Sequence, residues 1–67
     1  MKLIYTNREN LKRFIGTEVL INFKGINYPL CIKTKGLITT TSKVIKNEIQ
    51  NNFMIFITEN YHYVFEK

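Results

Sequence analysis

Between Thr17 and Lys24, Val19, Ile21 and Phe23 fall on one side of an extended chain and Glu18, Asn22 and Lys24 on the other, interrupted only by Leu20. A period of two predicts a half-buried strand. A second strand is expected over 28–35, where Tyr28, Leu30, Ile32 and Thr34 alternate with Pro29, Cys31, Lys33 and Lys35. Pro29 has no N–H to give to a ladder, which places it at the start of that strand or on an edge. Lys24-Gly25-Ile26-Asn27 between the two reads as a turn, because Gly and Asn both tolerate positive φ. Near the end of the sequence, Phe53 to Thr58 is apolar on both faces and is expected to be central. Tyr61 to Glu66 alternates Tyr61, Tyr63 and Phe65 against His62, Val64 and Glu66. Glu59-Asn60 has the length of a two-residue hairpin turn, with Asn60 in the left-handed region.

Residues 1–5 are apolar enough for a short first strand. Thr6-Asn7-Arg8-Glu9 then has the form of a capping box, in which the Thr6 hydroxyl would accept from the Glu9 amide. A helix over 7–15 is predicted from it, with Leu11, Phe14 and Ile15 on one face, Lys12 and Arg13 in the last turn and Gly16 as the left-handed cap. At about nine residues it needs packing to survive. Leu37 to about Ser42 should be extended, since Thr39-Thr40-Thr41 favours a pleated surface. Residues 43–50 are ambiguous: Val44, Ile45, Glu48 and Ile49 suit one helical turn, and Val44 and Ile45 also suit a continued strand. A short helix or irregular loop is favoured there.

These elements predict a mainly β fold: a small antiparallel sheet or an open barrel of about five strands, with one short N-terminal helix. A compact α+β fold is the alternative if 43–50 is helical. The expected core is Val19, Ile21, Phe23, Leu30, Ile32, Leu37, Phe53, Ile55, Ile57 and Val64. Strand order is open. With 67 residues the chain is one small domain, 1–67. A chain of this size buries only about 60% of its unfolded surface, so partner contacts, a homo-oligomer included, are a reasonable source of extra stability.

The residue inventory narrows the chemistry. There is no Asp, Ala or Trp, and only one each of His, Cys and Ser. Nucleophilic catalysis needs more than that, and Cys31 with His62 is the only nucleophile–base pair available. The five glutamates are scattered singly and read as solubility and capping charges rather than a catalytic carboxylate pair. Zinc needs about four Cys or His ligands where the sequence has two. No enzyme activity, metal or cofactor is therefore expected. The lone thiol fits a reducing compartment. The first residues lack the apolar stretch of about 7–15 of a signal peptide. The longest apolar run, Phe53 to Ile57, falls far short of the roughly 20 residues that span a bilayer. A cytoplasmic protein without a membrane partner is expected. Ile, Lys and Asn dominate, and their A/T-rich codons point to an A/T-rich genome, such as that of a low-GC bacterium or its phage. In the phage case the compartment is the host cytoplasm.

Charge supplies the positive signal. The formal net charge is +5 and the sequence pI about 9.6, which favours attraction to an anionic surface. Lys24, Lys33, Lys35, Lys43 and Lys46 form the candidate patch, with Tyr28, Tyr61 and Tyr63 as stacking platforms for nucleic acid. Eight of the ten cations are Lys, which suits phosphate attraction more than base recognition. The alternative is that the lysines are ordinary solvated charges and the aromatics fill a core. A separate reading is a protein–protein interaction module, such as a phage-encoded modulator of a host enzyme or a small subunit of an assembly. It would use Tyr61, Tyr63 and Phe65 on the exposed edge of the last strand.

A helix followed by about five strands resembles the Sm-like and SH3-like small barrels, and Lys24-Gly25 after Val19-Leu20-Ile21 resembles the Sm pattern. The acidic or polar signature which that pattern expects after the next glycine is missing, because Gly36 is followed by Leu37-Ile38-Thr39-Thr40. No functional residue carries over.

Overall fold

Two extra residues in one long strand set the architecture. The computed structural model describes residues 1–67, with strands β1 (Lys2–Thr6), β2 (Leu20–Phe23), β3 (Pro29–Thr34), β4 (Leu37–Gln50), β5 (Phe53–Thr58) and β6 (His62–Glu66), and a 3-10 helix over Glu9–Phe14. All pairings are antiparallel, and the order across the sheet is β1-β6-β5-β4-β3-β2. The fold is mainly β, as expected, with six strands rather than about five.

Residues 43–50, expected as a short helix or loop, are the second half of β4. The register explains the misleading pattern. Thr41 and Ser42 together oppose Leu30, between the pairs Cys31–Thr40 and Pro29–Lys43. Ile45 is extra between Val44–Thr58 and Lys46–Ile57. Each bulge adds one residue and bends the strand, so the inward positions of β4 run 39, 41, 44, 47, 49. Spacings of three imitate a helix.

Because β4 bends, its first half pairs with β3 and its second half with β5, and the sheet curls into a half-barrel. The inner face of β2–β3 turns toward the inner face of β5–β6, and Phe23 meets Phe56 edge to face, ring centroids 5.0 Å apart. The edges of the sheet also approach one another. Leu3 donates to the Thr17 carbonyl (3.2 Å), Gly16 to that of Leu3 (2.7 Å) and Val19 to that of Met1 (2.7 Å).

The core is Leu3, Leu11, Val19, Leu30, Ile32, Val44, Phe56, Tyr63 and Phe65. This corrects the expected faces of the last two strands. Phe56, Tyr63 and Phe65 point inward, and Phe53, Ile55, Ile57 and Val64 are only half-buried on the outside. Both faces of β5 are apolar, so alternation alone could not choose between them. The three buried threonines each serve the backbone at an irregular place. Thr41 accepts from the Leu30 amide (3.0 Å) at the first bulge, Thr58 from the Tyr61 amide (3.0 Å) at the β5–β6 turn, and Thr6 from the Arg8 amide (3.1 Å) after β1.

The helical element is shorter and tighter than the predicted 7–15. Thr6 is the last residue of β1 and its hydroxyl serves Arg8, so the expected capping box does not form. Leu11 is buried and Ile15 is exposed. Gly16 has positive φ as expected (91°), but Asn60 does not. The left-handed asparagines are Asn27 (φ 74°), in the predicted 24–27 turn, and Asn51 (φ 55°), in the β4–β5 hairpin.

Candidate nucleic-acid interface

Each strand of the half-barrel has one face turned out to solvent, and the outer face of β2, β3 and the first half of β4 holds most of the predicted patch. Leu20 is opposite Lys33, which is opposite Ile38; one rung along, Asn22, Cys31 and Thr40 align. Leu20 and Ile38 are 72% and 67% exposed, so Lys33 emerges between two solvent-facing aliphatic side chains. Lys35 follows in the turn to Gly36, whose φ of 79° lets β3 fold directly into β4.

Lys24 and Tyr28 flank the β2–β3 turn. That turn is tied to the bend of β4 by two backbone bonds, from the Asn27 amide to the Val44 carbonyl (2.8 Å) and from the Val44 amide to the Tyr28 carbonyl (2.9 Å). Tyr28 is 55% exposed. Lys24, Tyr28, Cys31 and Thr40 line a shallow depression of about 210 Å³. A second, of about 370 Å³, is lined by Glu18, Leu20, Lys33, Thr34 and Lys35. Glu18 is held by the N-terminal ammonium at 2.6 Å.

The five predicted lysines divide according to their ion pairs. Lys24, Lys33 and Lys35 have no carboxylate within 4 Å, whereas Lys43 is 3.8 Å from Glu59 and Lys46 is 2.8 Å from Glu48. Lys43 lies opposite Pro29, at the border of the same face. Lys46 belongs to the outer face of the other half-sheet. Its hydrogen bond to Glu48 raises the lysine pKa and lowers that of the carboxyl. Both side chains are exposed, so the pair contributes little to stability.

The three predicted tyrosines part in the same way. Tyr28 stands on the basic face. Tyr61, 37% exposed, lies beneath the Arg8 guanidinium, 5.7 Å from ring centroid to Cζ. Tyr63 is fully buried, and its hydroxyl accepts from Arg8 Nη1 at 3.3 Å. Burial pushes the Tyr63 phenol pKa up, while the Arg8 hydrogen bond and charge oppose the shift. Phe65 is also fully buried. Of the aromatic stripe expected to bind a protein, only Tyr61 reaches the surface.

Arg8 was not among the predicted site residues. It is brought to Tyr61 and Tyr63 by the loop after β1, where Asn7 Oδ1 also accepts from the His62 amide at 2.8 Å. No local pattern links residues so far apart in sequence. Cys31 and His62 are not brought together: one is on the outer face of β3, the other on the outer face of β6, across the barrel. No helix is long and apolar enough to cross a membrane. Comparison with protein-family models, with curated proteins and with solved structures gives no match.

Proposed function

We propose that the chain is a non-enzymatic nucleic-acid-binding module of the cytoplasm that holds a single strand against the outer face of β2, β3 and the first half of β4. Lys24, Lys33 and Lys35 contact phosphates, and Tyr28 offers its ring to a base. The observation that carries this reading is the grouping of the three lysines without carboxylate partners on one face, beside a tyrosine that is 55% exposed.

The physical argument favours backbone attraction without sequence reading. Ammonium groups on flexible stems act as point charges and lack the planar fork that arginine uses on base edges. Stacking on a tyrosine tolerates any base. The exposed Leu20 and Ile38 can lie against sugars and base faces between the phosphate contacts.

The test is a titration of fluorescent single-stranded DNA and RNA oligonucleotides over a range of salt concentrations. Three phosphate contacts predict a slope of log K against log salt of about −2, at roughly 0.7 per contact for a single strand. Absence of binding to either nucleic acid at low salt rejects the proposal.

A further inference from the structure

The outer face of the other half-sheet has a different character. All three outward side chains of the central strand β5, Phe53, Ile55 and Ile57, are apolar and half-buried. The register continues the middle rung from Ile55 through Val64 on β6 to Tyr5 on β1, where the ring is 49% exposed. The 3-10 helix sends Leu11 into the core on the inner side of the sheet, so it does not shield this stripe. Of these side chains only Tyr5 is exposed as a whole residue, but the apolar rung is continuous across three strands and offers a partner an apolar surface.

Its charges cancel. On β4 the stripe is bordered by Lys46 and Glu48, paired with each other, and at the opposite border Lys2 lies across from Glu66. Two lysines and two glutamates, with His62 beside Ile57 counted as neutral, leave this face without net formal charge, so the whole formal excess of +5 belongs to the rest of the chain.

We propose that this face pairs two copies of the chain, sheet against sheet, and leaves both basic faces pointing outward. The charge distribution permits a second copy as the occupant. Two chains of +5 repel wherever their lysine-bearing faces meet, but here they would meet where each is neutral. The shortest dimension of the molecule is 19 Å, against a screening length of about 8 Å at physiological salt. With the neutral faces in contact, most of the excess charge of one copy lies beyond that length from the other. A core of only nine buried apolar residues leaves the apolar stripe as a further source of stability, and face-to-face packing at about 10 Å is the ordinary way two sheets cover such surfaces.

Sedimentation velocity on the full chain, free of nucleic acid, tests this independently of what the basic face binds. Over protein concentrations from about 10 μM to about 1 mM, the range of weak association, the mass should rise from 8.0 kDa toward twice that value. Ile55→Lys places like charges at the centre of both faces and should raise the dissociation constant at least tenfold. Tyr5→Lys, on an edge strand and already half exposed, should act in the same direction without threatening the fold, and decides the matter if Ile55→Lys unfolds. Ile38→Lys, on the opposite outer face, should leave association unchanged. A wild-type chain at 8.0 kDa throughout overturns the proposal and leaves the stripe to a different protein. Folded Ile55→Lys or Tyr5→Lys that dimerises like wild type overturns it as well.

Discussion

Phe23 on β2 and Phe56 on β5 meet edge to face at an interplanar angle of 75°, although their strands are separated in the sheet by β3 and β4. The contact joins the two half-sheets through the core. Phe56 also meets Phe65 edge to face, centroids 5.7 Å apart, and is fully buried, while Phe23 is partly exposed. Phe56→Ala should therefore cost about 3–5 kcal/mol, and Phe23→Ala less. The coupling between the two rings in a double-mutant cycle, read by urea denaturation, should be about 0.5–1.5 kcal/mol. Additive effects would show that the half-sheets are held together elsewhere.

A hydroxyl bonds across the bend of β4. Thr41 Oγ1 accepts from the buried Leu30 amide at 3.0 Å and donates to the Ser42 carbonyl at 2.6 Å. Valine has the same shape and no hydrogen-bonding atom. Thr41→Val should cost about 1–3 kcal/mol, because the Leu30 N–H is left buried without a partner. Thr41→Ser keeps the oxygen and should recover part of the loss. If valine is neutral in chemical denaturation, the bulge does not need this bond.

Tyr63 should make the fold less stable at alkaline pH. Burial raises its phenol pKa above the ordinary 10.0, against the hydrogen bond and charge of Arg8. Folding thus favours the neutral phenol, and its contribution is complete below the unfolded pKa. It is lost as the pH climbs from that value through the folded one. Tyr63→Phe removes the titrating group, so its stability should fall less than that of wild type between about pH 9 and pH 11. At neutral pH the same variant should lose about 0.5–1.5 kcal/mol for the missing bond to Arg8. Parallel pH profiles for the two proteins would show that other groups govern alkaline unfolding.

What could be read from the sequence was local. Strands 17–24, 28–35, 53–58 and 61–66 each announce themselves by alternation or apolar content, and the first hairpin by Gly25 and Asn27. What could not be read depended on pairing. Bulges at Ser42 and Ile45 shift β4 out of its two-residue period and make Val44 and Glu48 look helical. The sign of the β5 face is undetermined by a strand that is apolar on both sides, and only the register with β4 and β6 places Phe56 inside and Ile55 outside. The basic face follows the same division. Lys33 and Lys35 are neighbours by simple alternation, whereas the ion pair between Lys46 and Glu48, which sets Lys46 apart from them, requires 43–50 to be a strand.

That division yields the sharpest test of the binding face. Replacing Lys33 and Lys35 together by alanine should lower the salt slope of oligonucleotide binding by roughly 1.4, two contacts at about 0.7 each. Lys46→Ala removes a cation that Glu48 already neutralises, on the opposite side of the barrel, and should leave the slope unchanged despite the same loss of formal charge per residue. Tyr28→Ala should weaken binding by about 1–3 kcal/mol, the worth of one stacked base, at unchanged slope. If Lys46→Ala and single replacement of Lys33 alter binding equally, the chain attracts nucleic acid by its overall charge, and the β2–β3 face is not a site.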